Sequence, residues 1–304
     1  MTPRLWVLGN LTVDDVVMAN GATAFGLCGG NALYAARGAY AWDDAVGVAA
    51  RIGPDFPPQH RTDLRRLGLE LSLVEVPALT IHNWALYESN DVRKFILWNG
   101  SGTHLEQSLR ADELPSMAGA EACHIAPMPL SVQAELVHAI RDRVRVLALD
   151  PHEEHIAGNE RELLDLLPAL TIFLPSRCEA ELLLGRDDPE AAALAFSEAG
   201  ATVAAVKLGG EGSIVTTGAG RTVHVPAVEV RVTDPTGAGD AYCGGITAAY
   251  TQGCDALAAA CHGTVSASLI CETRGATSLA SRDRALARQR LADLMERVGA
   301  AASA

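Results

Sequence analysis

Positive charge is scarce in this 304-residue chain, and lysine most of all: Lys94 and Lys207 are its only two lysines. With 24 basic against 37 acidic residues, the formal charge is −13. That balance argues against a nucleic-acid partner, because a phosphate backbone requires a basic face. Any anion bound here must be held locally, by backbone dipoles or a metal. Long apolar runs are missing too. None approaches the ~20 residues that span a bilayer, so no membrane partner is expected. Met1-Thr2-Pro3-Arg4 leads directly into the apolar stretch Leu5 to Leu8, without the layout of a targeting signal. A soluble cytoplasmic protein is expected. The seven cysteines contain no C-x-x-C pair, which predicts reduced, mostly buried thiols. His152-Glu153-Glu154-His155 is not H-E-x-x-H and follows Asp150-Pro151 in a loop pattern, which argues against a zinc site. The glycines at 26, 29 and 30, and at 209, 210 and 212, miss the G-x-G-x-x-G spacing, so a dinucleotide fold is not indicated.

What remains is ordinary globular composition, 49% hydrophobic and 20% charged. From about Ala120 onward, apolar strands alternate with amphipathic helices. Strands are predicted at Ala122 to Ile125, Val144 to Leu149, Leu170 to Leu174 and Thr202 to Leu208. Helices are predicted at Ser131 to Arg141 (Ser131 as N-cap), Asn159 to Leu167, Cys178 to Leu184 and Asp188 to Gly200. Continuous Val/Ile/Leu strands between helices predict a parallel sheet covered on both faces. Ligands bind beyond the carboxyl ends of such strands. Asp150, Ser176, Lys207 to Gly212 and Asp234 to Asp240 all fall just past strand ends. The first hundred residues break the pattern: Thr80 to Glu88 and Arg93 to Trp98 flank Ser89-Asn90-Asp91 as a β-hairpin, and Val13 to Met18 supplies a further strand. A small sheet over the sheet edge reads as a lid, with strands within about 11–27 and 77–100 of a single 1–304 domain. Its uncovered face is a candidate homodimer surface. A frayed tail is expected over Gly299 to Ala304.

The most informative segment is Asp234-Pro235-Thr236-Gly237-Ala238-Gly239-Asp240, between a β-rich stretch (Arg221 to Val232) and a small-residue helix (Ala241 to Tyr250). Glycines before a helix leave backbone amides bare at the positive end of its dipole, an anion site. A carboxylate closing that nest suits a base that takes a proton from a hydroxyl while the nest stabilises the phosphoryl group under attack. Asp240 as a mere helix cap is the alternative.

Asp234 to Gly245 resembles the second signature of the PfkB, or ribokinase-like, carbohydrate kinases at every position. Other stretches are similar to family landmarks in the same order: Val7 to Asp14, Gly29-Gly30-Asn31-Ala32 (shorter than usual), Val46 to Phe56, Pro175 to Glu181 with Ser176 in place of asparagine, Val206 to Gly212, and Ser266 to Ala276. The resemblance implies a three-layer α/β/α fold with a mostly parallel central sheet plus the small β-sheet lid. It also implies ATP-dependent phosphorylation of a hydroxyl of a sugar or sugar-like molecule.

The resemblance distributes roles. Asp240 is the general base, with Gly237, Ala238 and Gly239 as anion hole. Glu179 organises Mg²⁺, with Ser176 beside it. Asp234 and Thr236 match positions that hold K⁺ in activated members, or Asp234 simply orders the turn. Lys207, Gly209 and Gly212 lie beside the nucleotide and Thr264 near adenine, unless Thr264 only packs. Asp14, Gly30 and Asn31 hold the acceptor's hydroxyls; Asp15 competes with Asp14, and Asn31 could instead cap a helix. A nucleoside kinase using the same residues is the first alternative, with Trp84, Tyr87, Phe95 and Trp98 as base-stacking candidates. A ligand sensor that has lost turnover is the second.

Overall fold

A computed structural model describes residues 2–88, 93–98, 103–218, 220–278 and 284–302. Its strands are β1 (Leu5–Leu8), β2 (Thr12–Val17), β3 (Thr23–Gly29), β4 (Val46–Ile52), β5 (Glu70–Glu75), β6 (Ile81–Tyr87), β7 (Arg93–Leu97), β8 (Ala122–Ile125), β9 (Val146–Leu149), β10 (Ile172–Phe173), β11 (Val203–Lys207), β12 (Ser213–Thr216) and β13 (Thr222–Val225). The helices are α1 (Asn31–Tyr40), α2 (Pro58–Arg66), α3 (His104–Gln107), α4 (Leu130–Ile140), α5 (Glu160–Leu164), α6 (Arg177–Leu184), α7 (Pro189–Glu198), α8 (Ala238–Thr251), α9 (Ala256–Cys271) and α10 (Arg284–Ala302). None of the described helices is long and apolar enough to cross a membrane.

Nine strands form the main sheet in the order β13-β12-β11-β10-β9-β8-β1-β4-β5. The pairs from β5 to β11 are parallel, and β12 and β13 are added antiparallel at one edge. Strands such as β1 and β8 are buried at every residue, because each face meets a helical layer. Leu5, Val7, Val146, Ala148 and Ala205 face a core shared with α1, α8 and α9. Trp6, Leu8, Leu147, Leu149 and Phe173 face the core shared with α4 and α7. The three-layer α/β/α expectation holds.

The second sheet, β3-β2-β6-β7, is mixed: β2 pairs β6 in parallel and the outer pairs are antiparallel. Its register divides the side chains. Asp14 lies opposite Asn83, and Asn83 opposite Leu97, so the face bearing Asp14 also carries Ala85, Tyr87 and Phe95. The other face carries Asp15, His82, Trp84 and Ile96. The four candidate stacking aromatics therefore do not act together: Trp84 meets Phe25 edge-on and Trp98 stacks on His82, away from Asp14.

Several boundaries differ from expectation. Helix α4 begins at Leu130 behind Pro129, so Ser131 lies inside it instead of capping it; proline's fixed φ pre-sets the helix start. Asn31 is the first residue of α1, whose N-cap is Gly30. Only Thr222–Val225 of the β-rich stretch pairs as a strand. Helix α10 runs on to Ala302 where fraying was expected. The hairpin turn at Ser89 to Asp91 lies outside the described residues.

Helix α8 sits unusually close to α1. A side chain on Gly244 would strike the Ala35 carbonyl, and one on Gly38 the Ala241 carbonyl. The Gly244-Gly245 end of the signature is thus a packing device that fixes where the helix begins. Gly244→Ala should force the helices apart and cost about 1–3 kcal/mol, read as a lower melting temperature at unchanged fold by circular dichroism.

Candidate active site

The site is assembled where α8 starts. The Asp234 carboxylate accepts the Thr236 amide through Oδ1 at 2.9 Å, and the Thr233 and Asp234 amides donate to the Cys271 carbonyl. Gly237 then turns the chain with a φ of 77°, which favours glycine, and the Tyr34 ring occupies the space where a side chain would stand. The Ala238 amide donates to Pro235, and Ala241 closes the first helical bond onto Gly237. Gly239 and Asp240 lie within that first turn, where amides have no intrahelical acceptor and the dipole is positive. Asp240 is half-buried there, close enough to Asp150, Cys243 and Tyr34 for its charge to push their pKa values up.

Lys207 ends β11 beside this turn; its Nζ and Cδ lie 3.9 Å from where a side chain on Gly239 would begin. It does not snorkel to solvent. Its ammonium donates to both Asp150 oxygens, at 2.7 and 2.6 Å, and the Cys243 thiol donates to Asp150 at 3.3 Å. Asp150 is buried. Burial alone would lower the Lys207 pKa, but Asp150 and, more weakly, Cys243 and Glu179 more than offset it and hold the ammonium protonated. One fixed positive charge therefore sits beside the open amides. Asp150 reaches this place because β9 and β11 end on the same edge of a parallel sheet.

Ser176 also lies on that edge, bridged to Lys207. With Glu179 it forms a capping box at the start of α6: Ser176 N donates to Glu179 Oε2 at 2.6 Å, and Glu179 N donates to Ser176 Oγ at 3.3 Å. Serine in the asparagine position therefore acts as a helix cap, and one Glu179 oxygen is engaged. Between β11 and β12, Gly209–Glu211 forms a 3₁₀ turn, and the Leu208 amide donates to the Gly212 carbonyl at 2.8 Å. Thr264 is buried in α9 with its hydroxyl donating to Ala260 O at 3.0 Å, which supports a packing role.

On the acceptor side, the strand pleat separates the two adjacent aspartates. Asp15 accepts from Gly26 N at 2.7 Å and pairs with His82 at 3.0 Å on the far face. Asp14 accepts the Thr12 hydroxyl at 2.8 Å, hydrogen-bonds Asn83 and feels the charge of Asp234. Asn31 is committed to the backbone: Oδ1 accepts from Asn10 N at 2.8 Å and Nδ2 donates to Pro127 O at 2.6 Å. Gly30 packs against the Asn10 carbonyl. Tyr87 meets Thr236 hydroxyl to hydroxyl at 2.6 Å, joining the second sheet to the α8 turn. Asn83, Tyr34, Tyr87 and the Asp150 partnership had no sequence motif; each depends on strand register or helix packing.

Burial, only partly offset by the Thr12 and Asn83 bonds, raises the Asp14 pKa to about 7. From the ordinary 3.8 up to that value, the folded protein binds the extra proton. Folding stability should therefore fall as pH rises through this window. With Asp14 holding an acceptor hydroxyl, as the family resemblance implies, affinity should move the other way, because only the carboxylate is purely an acceptor. The acceptor KM should drop between pH ~5 and ~8, and Asp14→Asn should flatten both profiles.

A parallel α/β sheet, an open helix N-terminus with a carboxylate in its first turn, and a small sheet bringing Asp14 and Asn83 over that edge suit a small-molecule phosphotransferase. The comparisons agree. Residues 13–283 match the pfkB family of carbohydrate kinases, and the chain belongs to that family. It is a small-molecule kinase. A cytidine kinase of Thermococcus kodakarensis is 28% identical over 260 residues, covering 82% of this chain and 89% of the relative. The adenosine kinase structure from Sinorhizobium meliloti superposes with a TM-score of 0.79 at 20% identity, covering 95% of this chain and 99% of that one. An E. coli protein described as a ribokinase II, solved with ATP and Mg²⁺, superposes with a TM-score of 0.75 at 22% identity over 95% and 99%. These likenesses establish the ribokinase-like fold.

Proposed function

We propose that this protein transfers the γ-phosphoryl group of ATP to a hydroxyl of a sugar or sugar-like small molecule, with Asp240 as general base. The observation that carries this reading is Asp240 standing in the first turn of α8 with open amides around it and the Lys207 ammonium beside them. Asp240 takes the hydroxyl proton as that oxygen bonds to phosphorus and the bond to the leaving ADP oxygen breaks. The Gly237-Ala238-Gly239 turn and Lys207 stabilise the negative charge on the phosphoryl oxygens. Asp14 and Asn83 orient the acceptor, and Gly209 to Gly212 line the nucleotide side. Mg²⁺, when bound, neutralises charge between adjacent phosphates. The hard oxygen donors of Glu179 would suit it. The buried, mutually repelling Asp14 and Asp234 support a K⁺ near Asp234 and Thr236 as the balancing charge.

A nucleoside acceptor is the second reading. It is favoured by Tyr87 and Phe95 sharing the face of Asp14 and Asn83, where an aromatic ring can stack a base, and by the cytidine kinase likeness. The test is ATP consumption against a panel of sugars and nucleosides, run in K⁺ and in Na⁺. Turnover confined to nucleosides selects the second reading, and turnover on free sugars the first. ATP binding without turnover on any member overturns the kinase proposal in favour of a sensor. Equal rates in the two salts remove the K⁺ assignment.

A further inference from the structure

The loop after β9 carries a cluster that phosphoryl transfer does not use. One donor atom each from His152, Glu154 and His155 lies within 4.8 Å of the other two. The cause is local: Glu153–His155 is a 3₁₀ turn capped by His152, and in that geometry residues three apart lie on the same side. An H-E-E-H run, wrong for an α-helical metal site, thus becomes suitable, and the two imidazole centroids are 5.2 Å apart. A further imidazole, from a separate element, stands beside these three donors but outside their 4.8 Å group. His104, the first residue of α3, lies with its ring 5.5 Å from His152 and feels both Glu154 and His155. Its Nδ1 is buried with no hydrogen-bond partner, an omission that normally costs stability. His152 and His155 are partly accessible and Glu154 is exposed, so an ion can enter from solvent.

We propose that His152, Glu154 and His155, completed by His104, bind one transition-metal ion of the Zn²⁺ type. Imidazoles with one carboxylate suit Zn²⁺, Co²⁺ or Ni²⁺, whereas Mg²⁺ prefers an all-oxygen set. The site is therefore distinct from any Mg²⁺ accompanying a nucleotide. Ligation through His152 Nδ1 would displace the bond it accepts from Glu154 N, which at 3.3 Å is long. With His104 turned in as the fourth ligand, the site would have no open position, as structural sites do. It ties α3 to the loop that starts at Asp150, the partner of Lys207.

The test uses the untagged full chain, stripped of metal and titrated with Co²⁺ by visible absorption and with Zn²⁺ by calorimetry, both in excess Mg²⁺. One ion per chain should bind, with a Co²⁺ spectrum of tetrahedral type and a higher melting temperature. His152→Ala/His155→Ala should weaken binding by more than roughly 100-fold, beyond what outer-shell changes cost. His104→Ala should shift the Co²⁺ spectrum, and Cys254→Ser, at a thiol just after α8, should change nothing. Metal-free melting curves show whether each variant is folded. No saturable binding, displacement by Mg²⁺, full binding by a folded double variant, or loss in Cys254→Ser would each overturn the proposal. None of these readouts depends on kinase turnover.

Discussion

Asp240→Asn should lower kcat by roughly 10²–10⁴-fold, the range for removing a positioned general base, with little change in stability. The amide keeps the shape of the side chain, and a charge in a helix's first turn contributes only about 0.3–1 kcal/mol. Affinity for ATP should hold or improve, because the substitution removes a negative charge beside the anion-binding amides. The opposite pattern, a lower melting temperature with near-normal kcat, would make Asp240 a helix cap and nothing more. Steady-state kinetics and thermal unfolding on one preparation separate the two.

The second large effect concerns Lys207. Lys207→Met should abolish most activity and also destabilise the protein by about 3–5 kcal/mol, the usual consequence of stranding one member of a buried ion pair. Asp150 is 2% exposed and its partner 14%, so solvent cannot take over the lost contacts. Adding Asp150→Asn should restore much of the stability, since the uncompensated buried charge is gone. It should not restore kcat, because the positive charge beside Gly239 is still missing. A double variant that recovers both would make the pair purely structural. A Lys207→Met protein as stable as the parent would refute the buried-pair account.

The two variants differ in how far sequence could anticipate them. Asp240 was legible because a strand-to-helix turn is local: the glycines and the carboxylate lie within a few residues of one another, and backbone geometry follows from residue type. The alternation of apolar strands and helices gave the layer structure for the same reason, since period and burial are written along the chain. Lys207 could be placed near the nucleotide by its strand end, but its clamp by Asp150 comes from parallel strands ending on one edge. The paired aspartates at 14 and 15 stayed ambiguous until the pleat sent one toward Asp234 and the other toward His82. Asn31 looked like an acceptor ligand, yet the backbone of Asn10 and Pro127 claims both ends of its carboxamide.

The reaction class, then, was legible in the sequence alone, because the segment that resembles the family signature is built from contiguous residues. Tertiary structure decided which side chains stand beside it. Asn83, Tyr34, Tyr87 and Asp150 reach the site only through strand register and helix packing, contacts between residues far apart in the chain that local pattern does not encode. The His152 cluster shows the same division at smaller scale: the histidines are visible in the sequence, but a 3₁₀ turn gathers their donors and the fold sets a distant His104 beside them.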